Sequence, residues 1–236
     1  MKRLLFLLGL LPGLALSQNS TVFQSWNELG LSYKLDKKQS FGLDFTTRFD
    51  ASGLQTFFPQ ISYKYKVNKF IRPSLDYRLI ASKDDFGNYA LQHRLNVNLQ
   101  LAHEIERLEL GFRVRYQFSA ERSTTDIGSE FGDAFRFKPS IGYNLKNSIL
   151  SPSAGMEFFT SPMDGQTGYH LNRIRWNLGV AIDLKAAGEL EIAYLYDHRI
   201  NSPGSLNRAI LNLGYNYPIA KKDKKPKKAP RNGRFL

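Results

Sequence analysis

Apolar and polar residues alternate along the chain from about residue 27 to residue 219. In the stretch ELGFRVRYQF, residues 109–118, the alternation sets Leu110, Phe112, Val114 and Tyr116 against Gly111, Arg113, Arg115 and Gln117. A period of two indicates a β-strand, because successive side chains of a strand point to opposite faces. One face of this strand is apolar and the other is charged. The pattern alone leaves open whether the apolar face meets a soluble core or membrane lipid.

The number and length of the strands favour the membrane. About eleven such segments follow one another, each of roughly 9–12 residues, and no convincing helix interrupts them. Strands of globular proteins are usually about 5–6 residues long. Ten residues rising about 3.3 Å each at a tilt of about 40° span roughly 25 Å, which is the height of the apolar band of outer-membrane barrels.

The connections between the predicted strands alternate in length. The short ones are residues 36–39, 67–69, 103–106, 145–148 and 185–188, and the long ones are residues 50–56, 82–89, 119–133, 160–170 and 198–207. Short turns on one side and long polar loops on the other are typical of outer-membrane barrels. The sequence therefore predicts an all-β fold, a transmembrane antiparallel up-and-down β-barrel of 10–12 strands and outer-membrane type.

The strand count raises a question at the N-terminus. Bacterial barrels usually have even strand numbers, so 10 or 12 is expected rather than 11. Residues 18–27 then form another strand, thread the lumen, or show that the count is off by one.

The two ends of the chain predict export and a separate tail. Lys2 and Arg3 precede an apolar run too short for a membrane-spanning helix, and Ala15-Leu16-Ser17 is a small-residue cleavage site. Residues 1–17 are therefore predicted to be a signal peptide, residues 18–220 the barrel and residues 221–236 a basic disordered tail. The expected location is the bacterial outer membrane.

Charge and cysteine content exclude several classes of protein. The chain has no cysteine, which excludes disulfides, a thiolate metal site and a lipoprotein anchor. The net charge is +12, but the tail contributes +7 and the signal peptide +2, so the barrel region has an ordinary balance. Nucleic acid is not expected as a partner of an exported chain. The tail is interpreted as a solvated segment or as a contact with an anionic surface.

Several segments together resemble a known family. They are Trp26-Asn27-Glu28, Tyr77-Arg78, His93-Arg94-Leu95, Phe112-Arg113-Val114-Arg115, Met156-Glu157-Phe158-Phe159 and Asn172-Arg173-Ile174-Arg175. Over roughly residues 20–219, the chain resembles an uncharacterised family of outer-membrane proteins found largely in Bacteroidota, known as domain of unknown function 2490. The resemblance implies an outer-membrane barrel and brings no activity and no catalytic residues.

The last strand resembles a second known pattern. Asn212-Leu-Gly214-Tyr-Asn-Tyr217-Pro-Ile219 looks like the closing strand that the outer-membrane insertion machinery recognises, although Ile219 stands where an aromatic residue is usual. The expected partners are therefore this machinery and outer-membrane lipids. The oligomeric state stays open.

Charged residues on the predicted inner faces are the candidate functional site. The lumen-lining candidates are Arg48, Arg78, Arg94, Glu109, Arg113, Arg115, Arg136, Glu157, Arg173 and Arg175. Charges inside a narrow barrel must be paired or hydrated, because a buried unpaired charge is costly. Two interpretations remain: a structural ion-pair network that fills the bore, or a narrow pore whose arginines favour a small anionic solute.

An enzyme is the alternative function. Outer-membrane enzymes acting on lipid or lipopolysaccharide place Ser and His near the extracellular rim, where His93, His170, His198, Ser82, Ser161 and Ser205 are predicted to lie. No GxSxG motif supports this hypothesis, so no catalytic residue is assigned. His and the loop acids Asp84, Asp85, Asp126 and Asp164 lack the spacing of a known metal motif, so no metal site and no cofactor are predicted.

Overall fold

The structure, a computed structural model, describes residues 21–84, 86–121, 133–162, 167–200 and 206–219. Its strands are β1 (Thr21–Lys34), β2 (Gln39–Asp50), β3 (Gly53–Tyr65), β4 (Ile71–Lys83), β5 (Tyr89–Ile105), β6 (Leu108–Glu121), β7 (Ala134–Tyr143), β8 (Leu150–Pro162), β9 (Tyr169–Asp183), β10 (Glu189–Arg199) and β11 (Asn207–Ile219). A three-residue 3₁₀ turn, Lys185–Ala187, joins β9 to β10. Within the described ranges, no helix is long and apolar enough to cross a membrane.

The eleven strands close into one barrel. Each strand pairs with its neighbours in sequence in antiparallel fashion, and β1 closes the ring by pairing in parallel with β11, from Thr21 opposite Asn207 to Tyr33 opposite Ile219. The predicted fold class is confirmed, and eleven lies within the predicted range. The expectation of an even count is wrong. In a closed up-and-down barrel, a parallel closing pair requires an odd number of strands.

The segment before residue 27 belongs to the first strand. β1 begins at Thr21, so the described part of residues 18–27 extends the strand that the sequence pattern begins near residue 27. It neither forms a separate strand nor threads the lumen. The described barrel ends at Ile219, and the predicted signal peptide and basic tail lie outside the described residues.

The barrel has two distinct ends. The end that carries the connections 35–38, 66–70, 106–107, 144–149 and 184–188 is called the turn end here, and the opposite one is called the loop end. The prediction of a long loop at residues 50–56 is wrong, because only Ala51 and Ser52 separate β2 from β3. Asp50 Oδ1 accepts hydrogen bonds from the backbone N–H and the hydroxyl of Ser52, both at 2.8 Å, and Gly53 adopts a φ of +100°. This side-chain turn makes the hairpin tight.

Two β-bulges interrupt the regular register of the described strands. One lies in the β2–β3 pair beside Arg48, and the other lies in the β8–β9 pair beside Phe159. A bulge inserts one extra residue in one strand and locally increases its twist, which changes the direction of nearby side chains. Both bulges lie next to interior residues, Arg48 and Phe159, whose contacts are described below.

Candidate functional site in the barrel interior

Most polar side chains of the strands face the inside of the barrel, and most apolar side chains face the outside. On β5 the buried residues are Gln92, Arg94, Asn96 and Asn98, whereas the exposed ones include Leu91, Leu95, Val97 and Leu99. On β6, Arg115 is 7% exposed, whereas its neighbours on the other face, Leu110 and Phe112, are exposed. This distribution is the reverse of a soluble β-sheet protein, in which the apolar face is buried.

Glu157 is the centre of the first interior cluster. Its Oε1 accepts hydrogen bonds from Arg113 Nη2 at 2.8 Å and from Arg136 Nε at 3.0 Å. Arg175 Nη1 lies 3.9 Å from the other carboxylate oxygen. The three arginines come from β6, β7 and β9, so one buried carboxylate on β8 holds cations from both sides of its own strand. Charge-assisted hydrogen bonds of this kind are the strong ones.

Asp197 is the centre of the second cluster. It is 0% exposed, and the guanidinium of Arg175 binds it through two nitrogens, Nε to Oδ1 and Nη2 to Oδ2 at 2.8 Å. Arg173 Nη1 lies 3.6 Å from Oδ2. Because Arg175 also lies near Glu157, it joins the two clusters into one network that extends from β6 to β10.

Asp76 forms a third cluster on the adjoining part of the wall. Its Oδ2 accepts hydrogen bonds from Arg115 Nη2 at 3.0 Å and from Asn98 Nδ2 at 2.9 Å, and Arg115 Nε donates to the Asn98 side-chain oxygen. Asn98 Nδ2 also lies 3.0 Å from Ser74 Oγ. The cluster links β4, β5 and β6 through side chains in addition to the backbone ladder.

Arginines and aromatic rings alternate in a row across the interior, which we call the cross-lumen stack. Its members are Arg173, Phe159, Arg175, Trp26, Arg48, Phe58 and Arg78. The shortest contacts are Arg173 over Phe159 at 3.8 Å and Arg48 over Trp26 at 3.9 Å, measured from guanidinium carbon to ring centroid. Cation–π contacts are strongest when they are shielded from water. The stack joins β8 and β9 to β1–β4, which are not their neighbours in the sheet.

Most of the sequence-predicted lumen candidates belong to the ion-pair clusters or to the stack. Arg113, Arg115, Arg136, Glu157, Arg173 and Arg175 belong to the ion-pair clusters, and Arg48 and Arg78 belong to the stack. Arg94 is buried on β5, with a guanidinium nitrogen 3.5 Å from the side-chain oxygen of Gln92. Glu109 lies near the turn end, where it accepts a hydrogen bond from Asn144 Nδ2 at 2.7 Å.

The aromatic residues of the interior were missed by the sequence prediction. Trp26, Phe58 and Phe159 are all buried inside the barrel. A signal for two of them exists in the pairs Phe57-Phe58 and Phe158-Phe159. Neighbouring residues of a strand point to opposite faces, so one ring of each pair must face inward.

The residues of the alternative enzyme hypothesis do not form one site among those described. His93 and His198 face outward, and His93 Nδ1 lies 2.7 Å from the hydroxyl of Tyr77. Ser161 Oγ accepts a hydrogen bond from Asn172, and His170 Nε2 lies 3.1 Å from the carbonyl oxygen of Thr167. Ser205, Asp85, Asp126 and Asp164 lie outside the described residues. No group of three His, Asp or Glu in the described ranges could hold a metal ion.

A closed ring of long strands with a polar inside and an apolar outside defines this protein as a β-barrel of the membrane-spanning kind. The chain belongs to the family described as "Protein of unknown function (DUF2490)", whose model matches residues 23–208. The family resemblance is thereby confirmed; the match carries no information on the organism.

Comparison with solved structures found distant matches, whereas comparison with curated proteins found none. The crystal structure of OccAB4 from Acinetobacter baumannii matches with a TM-score of 0.38 and 9% sequence identity, over 72% of this chain and 48% of that one. The chain thus spans about half the length of that neighbour, and we draw nothing on function from so distant a likeness. No curated protein matches the chain.

Proposed function

We propose that this protein is an outer-membrane β-barrel whose bore is closed by its own side chains, and that it serves as a structural, non-conducting component of the bacterial envelope. The observation that carries the proposal is the cross-lumen stack together with the clusters around Glu157 and Asp197. These contacts hold long side chains inside the barrel, where a diffusion pore needs open space, and so support a closed bore.

The outer surface supports the membrane location. Side chains that would be buried in a soluble protein are exposed around the barrel, from Leu29 on β1 to Leu178 on β9, which is 66% exposed. Such a surface is stable in contact with lipid tails, and it would aggregate in water. Exposed aromatic residues such as Phe41, Tyr143 and Tyr217 near the turn end fit the aromatic girdle of a membrane interface.

The burial of the inward polar and charged side chains supports a closed bore. Glu157 is 3% exposed and Asn96 is 0% exposed, although both side chains point into the barrel. The lining residues of a water-filled passage would be accessible to water. In a narrow barrel, side chains from the facing walls are long enough to meet and fill the interior.

The ion pairs and cation–π contacts of the interior should also make the barrel stiff. Arg113 and Glu157 join β6 to β8, and Arg175 and Trp26 join β9 to β1, so the ties run between strands that share no backbone hydrogen bonds. A barrel tied in this way resists flattening of its cross-section. This property suits an envelope component that bears load rather than one that conducts solutes.

Conductance in planar lipid bilayers tests the proposal. The wild-type protein should insert without current steps, whereas the double variant Trp26→Ala/Phe159→Ala should show them, because it removes two rings of the stack. The matched control is Leu178→Ala, which shortens a side chain on the outer surface and should show no current steps.

The ion selectivity of the opened variant provides a second measurement. Removing the rings leaves Arg48, Arg173 and Arg175 beside the new passage, so the reversal potential in a salt gradient should indicate anion preference. Regular current steps from the wild-type protein would overturn the proposal and favour the narrow anion pore instead.

A further inference from the structure

Three small polar side chains form a patch on the outer surface of the barrel, at the middle of β1 and the adjoining part of β2. They are Ser25, Asn27 and Thr47, which we call the β1–β2 patch. Asn27 lies directly opposite Thr47 in the antiparallel β1–β2 ladder, and Ser25 lies two residues towards the loop end. Their neighbours Trp26 and Thr46 are buried inside, so the patch side chains point outward.

The position of the patch is unusual for a membrane-facing surface. Asn27 lies halfway along β1 (Thr21–Lys34), so the patch is well inside the band that lipid tails would cover. At the middle of the other described strands, the outward residues include Leu75, Val97, Val114, Phe137, Met156, Leu178, Tyr194 and Leu211. A primary amide in contact with hydrocarbon is costly, because lipid tails offer no hydrogen-bond partner.

The hydrogen-bonding capacity of the patch is only partly used within the chain. With the described part of the chain, the Asn27 side chain makes one hydrogen bond, from Nδ2 to Ser25 Oγ at a long 3.4 Å. A primary amide has two N–H donors and a carbonyl that can accept two hydrogen bonds. Most of the capacity of Asn27 is therefore left for a group outside this chain.

Large apolar side chains surround the patch. Phe23 is 59% exposed and Leu29 is 52% exposed on β1, and Phe45 and Phe49 are exposed on β2. A polar centre within a rim of aromatic and aliphatic groups has the two parts of a membrane-embedded interface: hydrogen bonds at the middle and close packing around them.

We propose that the β1–β2 patch is the interface at which a second copy of this chain docks, with β1 of one protomer facing β1 of the other across a twofold axis. A twofold contact sets each surface patch against itself. A primary amide is complementary to itself, because it carries both donors and an acceptor, so Asn27 can pair with Asn27 of the partner subunit. The rim residues then pack against their own copies. The inference rests on the proposed membrane location and is independent of whether the bore is closed.

The chain offers a clean cross-linking experiment because it contains no cysteine. We expect the Asn27→Cys variant of the full chain, oxidised in membranes, to form a disulfide-linked species of twice the monomer mass. The matched control is Val97→Cys on β5, which is also exposed at the middle of its strand but lies on the far side of the barrel. This variant should stay monomeric under the same oxidation.

A second pair of variants tests the role of the amide itself. We expect Asn27→Leu to weaken the dimer about tenfold, since it removes the paired hydrogen bonds across the interface. Asn27→Gln keeps the amide and should retain most of the association. The monomer–dimer equilibrium is measured by sedimentation in detergent, with a band shift on heating used to show that each variant is folded.

The outcomes separate the possibilities. A dimer band for Asn27→Cys alone, with weakening by Asn27→Leu, supports the second copy. Equal cross-linking of both cysteine variants overturns the proposal, as does a wild-type monomer in folded, membrane-inserted protein. A cross-link to a protein of different mass overturns it in favour of another partner. Failure of the barrel to enter membranes at all would count against the proposed function instead.

Discussion

Replacing Glu157 with Gln should be one of the most damaging single changes in the interior. The substitution keeps the size of the side chain but removes the negative charge that three arginines share. Arg113 and Arg136 both bind Oε1 at 2.8–3.0 Å, and Arg175 lies 3.9 Å from Oε2. Gln has one oxygen to accept hydrogen bonds and presents an NH₂ group to the remaining cations.

The expected loss follows from burial and from the number of partners. The Glu157 side chain is 4% exposed, so water cannot replace the missing charge. Removing one partner of a buried ion pair typically costs about 3–5 kcal/mol, because the other charge stays buried without compensation. We therefore expect Glu157→Gln to lower the free energy of unfolding by about 3–5 kcal/mol.

Urea titration of the protein in lipid vesicles, followed by tryptophan fluorescence and by gel mobility without heating, measures this loss. Glu104→Gln on β5 is the matched control, since it makes the same chemical change at an exposed position near the turn end. It should change the free energy of unfolding by less than about 0.5 kcal/mol.

A double-mutant cycle identifies the cause of the effect. Arg136→Gln should be less destabilising in the Glu157→Gln background than in the wild type, by roughly 1–3 kcal/mol, because the carboxylate that it binds is already gone. If Glu157→Gln cost no more than Glu104→Gln, or if the two interior changes were simply additive, the ion-pair account of the interior would be refuted.

Three further predictions follow from the fold. Val114→Arg should abolish membrane assembly, measured by heat-modifiable gel mobility, because Arg at the bilayer midplane on the lipid face costs about 2–4 kcal/mol; Arg113→Gln should still assemble, and equal assembly of both would show that the faces are assigned the wrong way round. Because β1 and β11 run parallel, Thr21→Cys and Ile219→Cys should react with an impermeant maleimide from opposite sides of the membrane, and labelling of both in intact cells would contradict the parallel closure. Gly188→Ala should lower the free energy of unfolding in urea by more than about 1 kcal/mol, since Gly188 has a φ of +102° and an added Cβ would lie 2.2 Å from a backbone carbonyl oxygen of β11; an unchanged midpoint would contradict this turn geometry.

Strand existence and side-chain direction could be predicted from the sequence, and both have a local cause. Alternation with a period of two places Leu110 and Phe112 on one face and Arg113 and Arg115 on the other, whatever the rest of the chain does. The length of the strands and their number then favour a membrane barrel over a soluble sandwich. The structure has Leu110 and Phe112 outside and the two arginines inside, where they bind Glu157 and Asp76.

The bounds of the strands, and whether their number is odd or even, were less predictable, because both depend on how the strands pair in the folded barrel. The tight turn at Ala51 and Ser52 looks like part of a long polar loop in the sequence, and Asp50 makes it tight through hydrogen bonds that only the folded hairpin contains. The even count was expected from other barrels. Whether the first strand closes against the last in parallel is decided by the number of strands in the closed ring, which is odd here.

The sequence by itself determined that charged and apolar residues lie on opposite faces of each strand, because a strand separates its two faces at every step. The length and number of the strands then indicated that the charged face is the inner one. The sequence also indicated that these charges must be paired or hydrated. Which charges meet was decided by the tertiary structure alone. Glu157 binds Arg113 across one intervening strand, and Arg175 reaches Trp26 on a strand that is distant in sequence. Such partners depend on the curvature and closure of the barrel, which no local pattern of residues records.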